Sequence, residues 1–527
     1  METTTTIVSI RTMKRTMMII ASAAMVSMAM AAGDATPVPL PELKWSLPGT
    51  AKREGDVVTF RVPEDKVGKP SRGKARIHIR PYLGKELYVT VKISGKGVTK
   101  VGSKKHWLGG KLMLAYKDEF VGEMNYPGLP LPEGDFEGEY TLTAPLYGID
   151  TDYADIFIGL EQACGEISYD LSTLKLSTGQ KLFPPKNVGY KVKYPKRVAK
   201  RKPLRGAMVR PDLKEQDVAD LASWGAKLMR YQFIPIRDKG YDAAKATKAE
   251  SIAKFRHDAT VHLDYLADNV LGWARKHGMM VVVDMHMFPK GPKESVFNDD
   301  ELFEAFRAVW KTVAERLKGN EDVIYGYDII NEPSQKKPEK YGYFGLQELV
   351  AREIRAIDPK TTIVMESASA CGPHAYSYMS ALDMDNVIYQ VHVYQPLSYT
   401  HQGLGKAYSG RSAYPRPAGN GLCAIDKEYL RKVIEPVRKF QREHKCRIYV
   451  GEFSAAAWAE GAAQYLEDCI SLFEEYGWDW TYHAFREATV WSVEHEATDS
   501  VHRWKAESDT DRKKVLLKGF SKNKMTK

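Results

Sequence analysis

The sequence predicts an α/β protein: a (β/α)8 TIM barrel preceded by an all-β sandwich. Two patterns carry this expectation. Residues 45–182 alternate apolar and polar side chains in short runs separated by Gly, Pro and Asp. Beyond residue 204, short apolar runs alternate with amphipathic stretches, eight times over. Between the halves lies a basic stretch, "KNVGYKVKYPKRVAKRKPLR", 186–205. The expected division is 1–31 signal peptide, 42–183 sandwich, 184–203 linker and 204–520 barrel.

The N-terminus comes first. Arg11, Lys14 and Arg15 precede the apolar run "MMIIASAAMVSMAM", and Ala29-Met30-Ala31 fits a small-x-small cleavage site. This is the pattern of a secretory signal peptide, and the run is shorter than the roughly 20 residues a membrane span needs. An uncleaved membrane anchor is the alternative. Export would make the protein secreted or periplasmic, with no membrane partner after cleavage. The chain of 527 residues carries a net charge of +10, and loss of residues 1–31 would leave it near +8. Charge runs usually face water, so the 186–205 stretch is expected to be a solvated linker rather than a nucleic-acid patch. Attraction to an acidic surface or glycan stays open. Cys164, Cys371, Cys423, Cys446 and Cys469 are widely spaced and show no CxxC pattern. One or two disulfides after export, or several small buried hydrophobes, are both compatible with that spacing.

The sandwich is expected from "RIHIR" (76–80), "ELYVTVKI" (86–93), "EYTLT" (139–143), "DIFIGL" (155–160) and "EISYDLSTLKL" (166–176), each with period-two apolar spacing. The segment "ADIFIGLEQACGEISYDLSTLKLST" resembles the last strands of jelly-roll carbohydrate-binding modules. That resemblance implies a sugar-binding sandwich; a purely structural one is the alternative. Trp107 and Tyr126 could stack on sugar rings, or pack inside.

The barrel strands are expected at "GAMVR" (206–210), "KLMRYQF" (227–233), "MMVVVDMH" (279–286), "VIYGYDII" (323–330), "TTIVMES" (361–367), "NVIYQVHVY" (386–394), "RIYVGEF" (447–453) and "DWTYHAF" (479–485). Among the intervening helices, "VHLDYLADNVLGWARKHG" puts Leu263, Leu266, Val270 and Trp273 on one face and ends at Gly278, a C-cap. Barrel chemistry sits at the C-terminal ends of the strands. Strand 2 ends with Arg230, strand 3 with Asp284 and His286, strand 4 with Asn331 and Glu332, strand 6 with His392 and Tyr394, and strand 7 with Glu452. Strand 8 ends with His483, Arg486 and Glu487, the last two expected as an ion pair.

Strands 4 and 7 face each other across a barrel mouth, so Glu332 and Glu452 could flank one glycosidic bond. With "IINEP", "VGEF", "VDMH", "VHVY" and "MRYQF" in order at strand ends, residues 204–520 resemble glycoside hydrolase family 5, the cellulase-type retaining glycosidases. The resemblance implies a role for each matching residue. Glu332 would be the acid/base and Glu452 the nucleophile. Asn331 would hold the sugar 2-hydroxyl and Arg230 would orient Glu452. His286 and His392 would line the −1 subsite, and Tyr394 would hydrogen-bond the nucleophile or ring oxygen. The family usually ends strand 8 with a tryptophan under the −1 sugar. Here Trp480, Tyr482, His483 and Trp491 compete for that place, and Trp491 is favoured.

No HExxH occurs, and His257 and His262 lie off a common helix face. GxSxG, phosphate-loop and dinucleotide motifs are absent too. The expectation is a secreted, monomeric endo-β-glycosidase that needs no cofactor and acts on a polysaccharide, β-1,4-glucan first, with β-mannan and xyloglucan as rivals. The reading from another class is a secreted glycan-binding protein of little activity. The loop "QPLSYTHQGLGKAYSGRSAYPRPAGNGLC" holds Tyr399, Tyr408 and Tyr414 and is expected to wall the cleft.

Overall fold

The computed structural model describes residues 36–523 except 69, 84, 103–107, 118–123, 147–150, 180–201, 234–245, 291–293, 335–338, 378, 406, 407, 409 and 418–423. The expected signal peptide, most of the expected linker, Trp107 and Cys423 lie outside the described residues.

The N-terminal half is two antiparallel sheets. Its strands are β1 (Thr36–Val38), β2 (Ala51–Glu54), β3 (Val57–Val62), β4 (Ser71–His78), β5 (Glu86–Lys100), β6 (Gly109–Lys117), β7 (Met124–Asn125), β8 (Gly128–Pro130), β9 (Gly134–Pro145), β10 (Tyr153–Glu161) and β11 (Ala163–Thr178). One sheet runs β2-β3-β11-β5-β9, with β1 on β11; the other runs β4-β10-β6-β7, with β8 on β6. Alternation does the sorting. In β3 the side chains of Val58, Phe60 and Val62 are buried and their neighbours are not. In β4 Ala75 and Ile77 point inward, while Arg72, Lys74 and Arg76 stay on the outer face. Among the described residues of this half only two single turns, Glu64–Lys66 and Arg80–Tyr82, are helical.

The second half closes into a parallel barrel of eight strands. They are β12 (Arg205–Val209), β13 (Leu228–Phe233), β14 (Met280–Met285), β15 (Ile324–Asp328), β16 (Ile363–Glu366), β17 (Val387–Val393), β18 (Arg447–Phe453) and β19 (Asp479–Phe485). Each lies within two residues of its expected ends. Leu228, Val282, Tyr325, Val364, Ile388 and Tyr449 form a separate fully buried cluster. Two residues further along their strands stand Arg230, Asp284, Glu366 and Gln390, all fully buried. With a side-chain period of two, an apolar layer and a polar layer follow each other up the barrel interior.

Two helices pin the strand ends that matter. Asp300–Leu317 is capped by the Asp299 carboxylate, which accepts from the N–H groups of Glu301 and Leu302. It buries Leu302, Phe306, Val309, Val313 and Leu317 along one stripe. From the same helix, Trp310 Nε1 donates to the carbonyl of Ile329 at 2.9 Å, two residues before Asn331. In the helix Tyr343–Ile357, Gln347 Oε1 accepts the N–H of Glu366 at 2.9 Å, and its Nε2 donates to the Glu366 carbonyl at 3.0 Å. Gly278 closes its helix in the left-handed conformation at φ 63°. No helix among the described residues is long and apolar enough to cross a membrane. Cys164, Cys371, Cys446 and Cys469 are all free thiols, so no disulfide forms among the described cysteines.

Candidate active site

The polar layer is organised around one guanidinium. Arg230 is fully buried. Its Nη1 donates to Glu452 Oε1 at 2.6 Å, and its Nε and Nη2 donate to Asp328 Oδ2 at 3.1 and 3.0 Å. Nη2 also meets Asn331 Oδ1 at 3.0 Å, Glu366 Oε1 at 3.1 Å and Asp284 Oδ1 at 3.0 Å. Four carboxylates thus share one fixed cation, a role that suits the planar fork of Arg. Burial pushes Asp328 up to about 6 and Glu366 well above its ordinary value, with the neighbouring carboxylates adding to the rise and Arg230 opposing it.

Glu452 has the opposite fate. Burial works to raise it, but His392, His483, Arg230 and His286 surround it with positive charge and hold it well below its usual range. Tyr394 Oη donates to Glu452 Oε2 at 2.8 Å. The phenol keeps its proton, because burial and the charge of Glu452 push it far up.

Glu332 sits at the rim, its side chain 37% exposed. Its backbone is left-handed, at φ 49°, which is costly for a residue with a Cβ. The turn is held from below: its own N–H donates to Glu366 Oε2 at 2.6 Å. His392 Nδ1 meets its Oε1 at 2.9 Å and lies 3.9 Å from Glu452 Oε2. One side-chain atom each of Glu332, His392 and Glu452 lie within 4.8 Å of one another. His286 stands on Asp284, Nδ1 to Oδ2 at 2.8 Å, and that contact outweighs burial to raise its affinity for a proton.

Every strand-end residue expected to act, Arg230, His286, Asn331, Glu332, His392, Tyr394 and Glu452, is drawn into this one network. Trp491 reaches its edge; its ring centroid is 5.9 Å from that of Tyr394, 5.8 Å from His483 and 4.9 Å from His401. The strand-8 side chain nearest Glu452 is His483, whose Nδ1 is 3.5 Å from Oε2. Two expectations are corrected. Arg486 does not pair with Glu487: it binds Glu494, Asp217 and Asp220, while Glu487 turns to His483 Nε2 at 3.3 Å. The backbone at Arg486 is left-handed, at φ 55°, and Arg486 and Glu487 take separate partners. Tyr399 and Tyr414 do not wall the cleft; both are buried against Tyr465 beneath their own loop, and only Tyr408 reaches His401, at 5.6 Å.

Reading strand ends missed Asp328, Glu366 and Gln390. Glu366 closes strand 5 and obeys the same rule. Asp328 and Gln390 lie inside otherwise apolar runs, in phase with Glu332 and His392 at a spacing of four and two; that shared phase is the signal that finds them. Asp284, Asp328 and Glu366 lie close enough to hold a cation, and so do Glu366, Cys371 and His392. The Arg230 guanidinium already contacts all three carboxylates of the first group, and Cys371 is a buried thiol held protonated by burial and by Glu366.

Two glutamates that converge at the C-terminal mouth of a barrel are the arrangement that glycoside hydrolysis needs. The model of cellulase (glycosyl hydrolase family 5) matches residues 199–489, and the chain belongs to that family. It is 26% identical over 302 residues to endoglucanase C of Acetivibrio thermocellus, covering 51% of this chain and 83% of that one. It is 27% identical over 203 residues to cellodextrinase A of Ruminococcus flavefaciens, covering 36% and 54%. Among solved structures, Thermotoga maritima Cel5A in complex with mannotriose aligns at a TM-score of 0.46 and 22% identity, over 60% of this chain and 96% of that one.

Proposed function

We propose that the protein is an exported, monomeric endo-β-glycanase that cleaves β-1,4-glucan with retention of configuration. The observation that carries the reading is the pairing of Glu332 and Glu452 within 4.8 Å at the barrel mouth. Close approach of one oxygen from each carboxylate favours a retaining pair over an inverting one, whose carboxyl groups stand farther apart to admit a water. Glu452, ionised and clamped by Arg230 and Tyr394, attacks the anomeric carbon while Glu332 gives its proton to the departing oxygen. Glu332 then takes a proton from water, which displaces Glu452. Asn331 is locked by Arg230 through Oδ1, which leaves Nδ2 to bind the sugar 2-hydroxyl. His286 and His392 line the −1 subsite, and Trp491 backs it. The names of the relatives, endoglucanase and cellodextrinase, support glucan as substrate. β-Mannan and xyloglucan would be cut by the same chemistry.

The sandwich serves the same substrate by binding it. The outer face of the β4-β10-β6 sheet carries a groove of about 970 Å³ lined by Tyr126, Tyr153, Phe157 and Met113. Tyr126 and Tyr153 are 60% and 52% exposed there, which leaves their rings accessible to stack on sugar.

Reducing-sugar release from mixed-linkage glucan, carboxymethyl cellulose, glucomannan and xyloglucan tests the catalytic reading, with NMR of the first-formed anomer. The expected result is a β-anomer from at least one polymer, and a loss of about 10⁴-fold or more in Glu452→Ala. An α-anomer, or full activity in that variant, would reject it. For the sandwich, the double variant Tyr126→Ala/Tyr153→Ala should lose retardation in glucan-containing native gels.

A further inference from the structure

Strand 8 departs from the family at the position where the −1 sugar usually meets a tryptophan, and the hydrogen-bond inventory there allows one assignment. Tyr394 has a single phenolic hydrogen and two partners: Glu452 Oε2 at 2.8 Å and His483 Nδ1 at 2.6 Å. A carboxylate can only accept, so the hydrogen goes to Glu452. The phenol oxygen must then accept from His483, which puts a hydrogen on Nδ1. The other ring nitrogen, Nε2, faces Glu487 Oε2 at 3.3 Å, another acceptor, so it carries a hydrogen too. We infer that His483 is an imidazolium, held between Tyr394 and Glu487, that positions the Tyr394 hydrogen and lends its charge to the nucleophile.

The surroundings agree. His483 is largely buried, its side chain 14% exposed, and its Nδ1 lies 3.5 Å from Glu452 Oε2. Burial raises Glu487, but the hydrogen bond and charge of His483 bring it below its ordinary value. His401, on the segment after β17, is driven down to about 4, by burial first and then by the charge of His483. The other groups facing this cluster are His392 on β17, His286 beyond β14 and the uncharged ring of Trp491.

The chemical consequence rests on the proposed double displacement. When the glycosyl-enzyme is hydrolysed, the bond from the anomeric carbon to Glu452 breaks and its electron pair returns to the carboxylate. The attacking water gives its proton to Glu332. An imidazolium 3.5 Å away stabilises the carboxylate that re-forms, which an indole cannot do. His483 is thus a positioning residue that makes turnover depend on one further proton.

The test reads protonation and catalysis separately, on the full chain. Ring ¹⁵N–¹H correlation spectra at pH 7, with the His483 signals identified by their loss in His483→Asn, should show both ring nitrogens protonated. In Glu487→Gln, which removes the charge facing Nε2, the second ring proton should be lost at a lower pH than in the unsubstituted protein. Where hydrolysis of the glycosyl-enzyme limits turnover, Glu332 acts as base, so the alkaline limb of kcat on soluble glucan should move down in Glu487→Gln and be lost in His483→Trp, which installs the family's residue, while kcat/KM keeps the limb that Glu332 sets as acid. A neutral His483 ring at pH 7, or an alkaline limb of kcat that Glu487→Gln leaves in place, overturns the inference. A protonated ring in a chain without glycosidase activity would overturn its catalytic role and the double-displacement reading together, and leave the charge assignment standing.

Discussion

Arg230 carries more of this site than either glutamate. All three of its nitrogens are engaged: Nη1 on Glu452, Nε on Asp328, and Nη2 on Asp328, Asn331, Glu366 and Asp284. Lysine keeps the charge and loses the fork. Arg230→Lys should therefore lower kcat by roughly 10²–10³-fold with a smaller change in KM. The acid limb of the activity profile should also shift upward, since lysine does not reproduce the Nη1 hydrogen bond that favours ionised Glu452. An unshifted limb would mean that the histidines alone set the state of Glu452. Glu366 is the second hinge at this scale, because it accepts from the backbone of Glu332 and from Arg230 at once. Gln390 Nε2 donates to it as well. Glu366→Gln would turn an acceptor toward a donor at one of these contacts; it should cost at least tenfold in kcat and leave glucan binding near its original strength.

At the scale of elements, the site depends on strands that approach closely enough to close the barrel. Gly206 on β12 shows the limit. A Cβ there would sit 1.6 Å from the carbonyl oxygen of Leu228 on the neighbouring strand, so no side-chain movement could relieve it. Gly206→Ala should destabilise the barrel by about 3 kcal/mol or more, seen as a fall in its melting temperature or as insoluble protein. Gly451 is subtler. Its Cβ would meet the Gln390 side chain at 2.5 Å, so the same substitution there would push on the polar layer before it strained the strands.

For the whole molecule, the buried acidic layer makes stability depend on pH in a way a surface cannot. Asp328 titrates at about 6 in the fold against an ordinary 3.8. A raised acid binds its proton more tightly when folded. Its stabilising share is complete below pH 3.8, falls through the window up to about 6, and is gone above it. The span is on the order of 3 kcal/mol. Asp328→Asn, a permanent copy of the protonated form, should flatten the fall in barrel melting temperature between pH 4 and 7. A wild-type and variant difference that stays constant over that range would assign the titration elsewhere. Glu452 has the opposite sign: its share is present above its ordinary value of 4.5 and is lost only in stronger acid.

The sequence by itself determined the two halves, the eight barrel strands and the residues at the barrel mouth. Period-two spacing and strand-to-helix alternation are local properties, and a polar residue that ends an apolar run declares itself without reference to the rest of the chain. It did not determine partners. That Arg486 leaves Glu487 for Glu494, Asp217 and Asp220, or that Tyr399 and Tyr414 pack under their own loop, depends on which surfaces meet when the barrel closes. Asp328 and Gln390 were hidden for the same reason. A lone polar residue in a buried run is intelligible only once the guanidinium or carboxylate that compensates it comes across from another strand. His483 shows the division most clearly. Its place at the end of strand 8 is readable from the sequence, and its charge follows only from the three oxygens that tertiary structure brings around it.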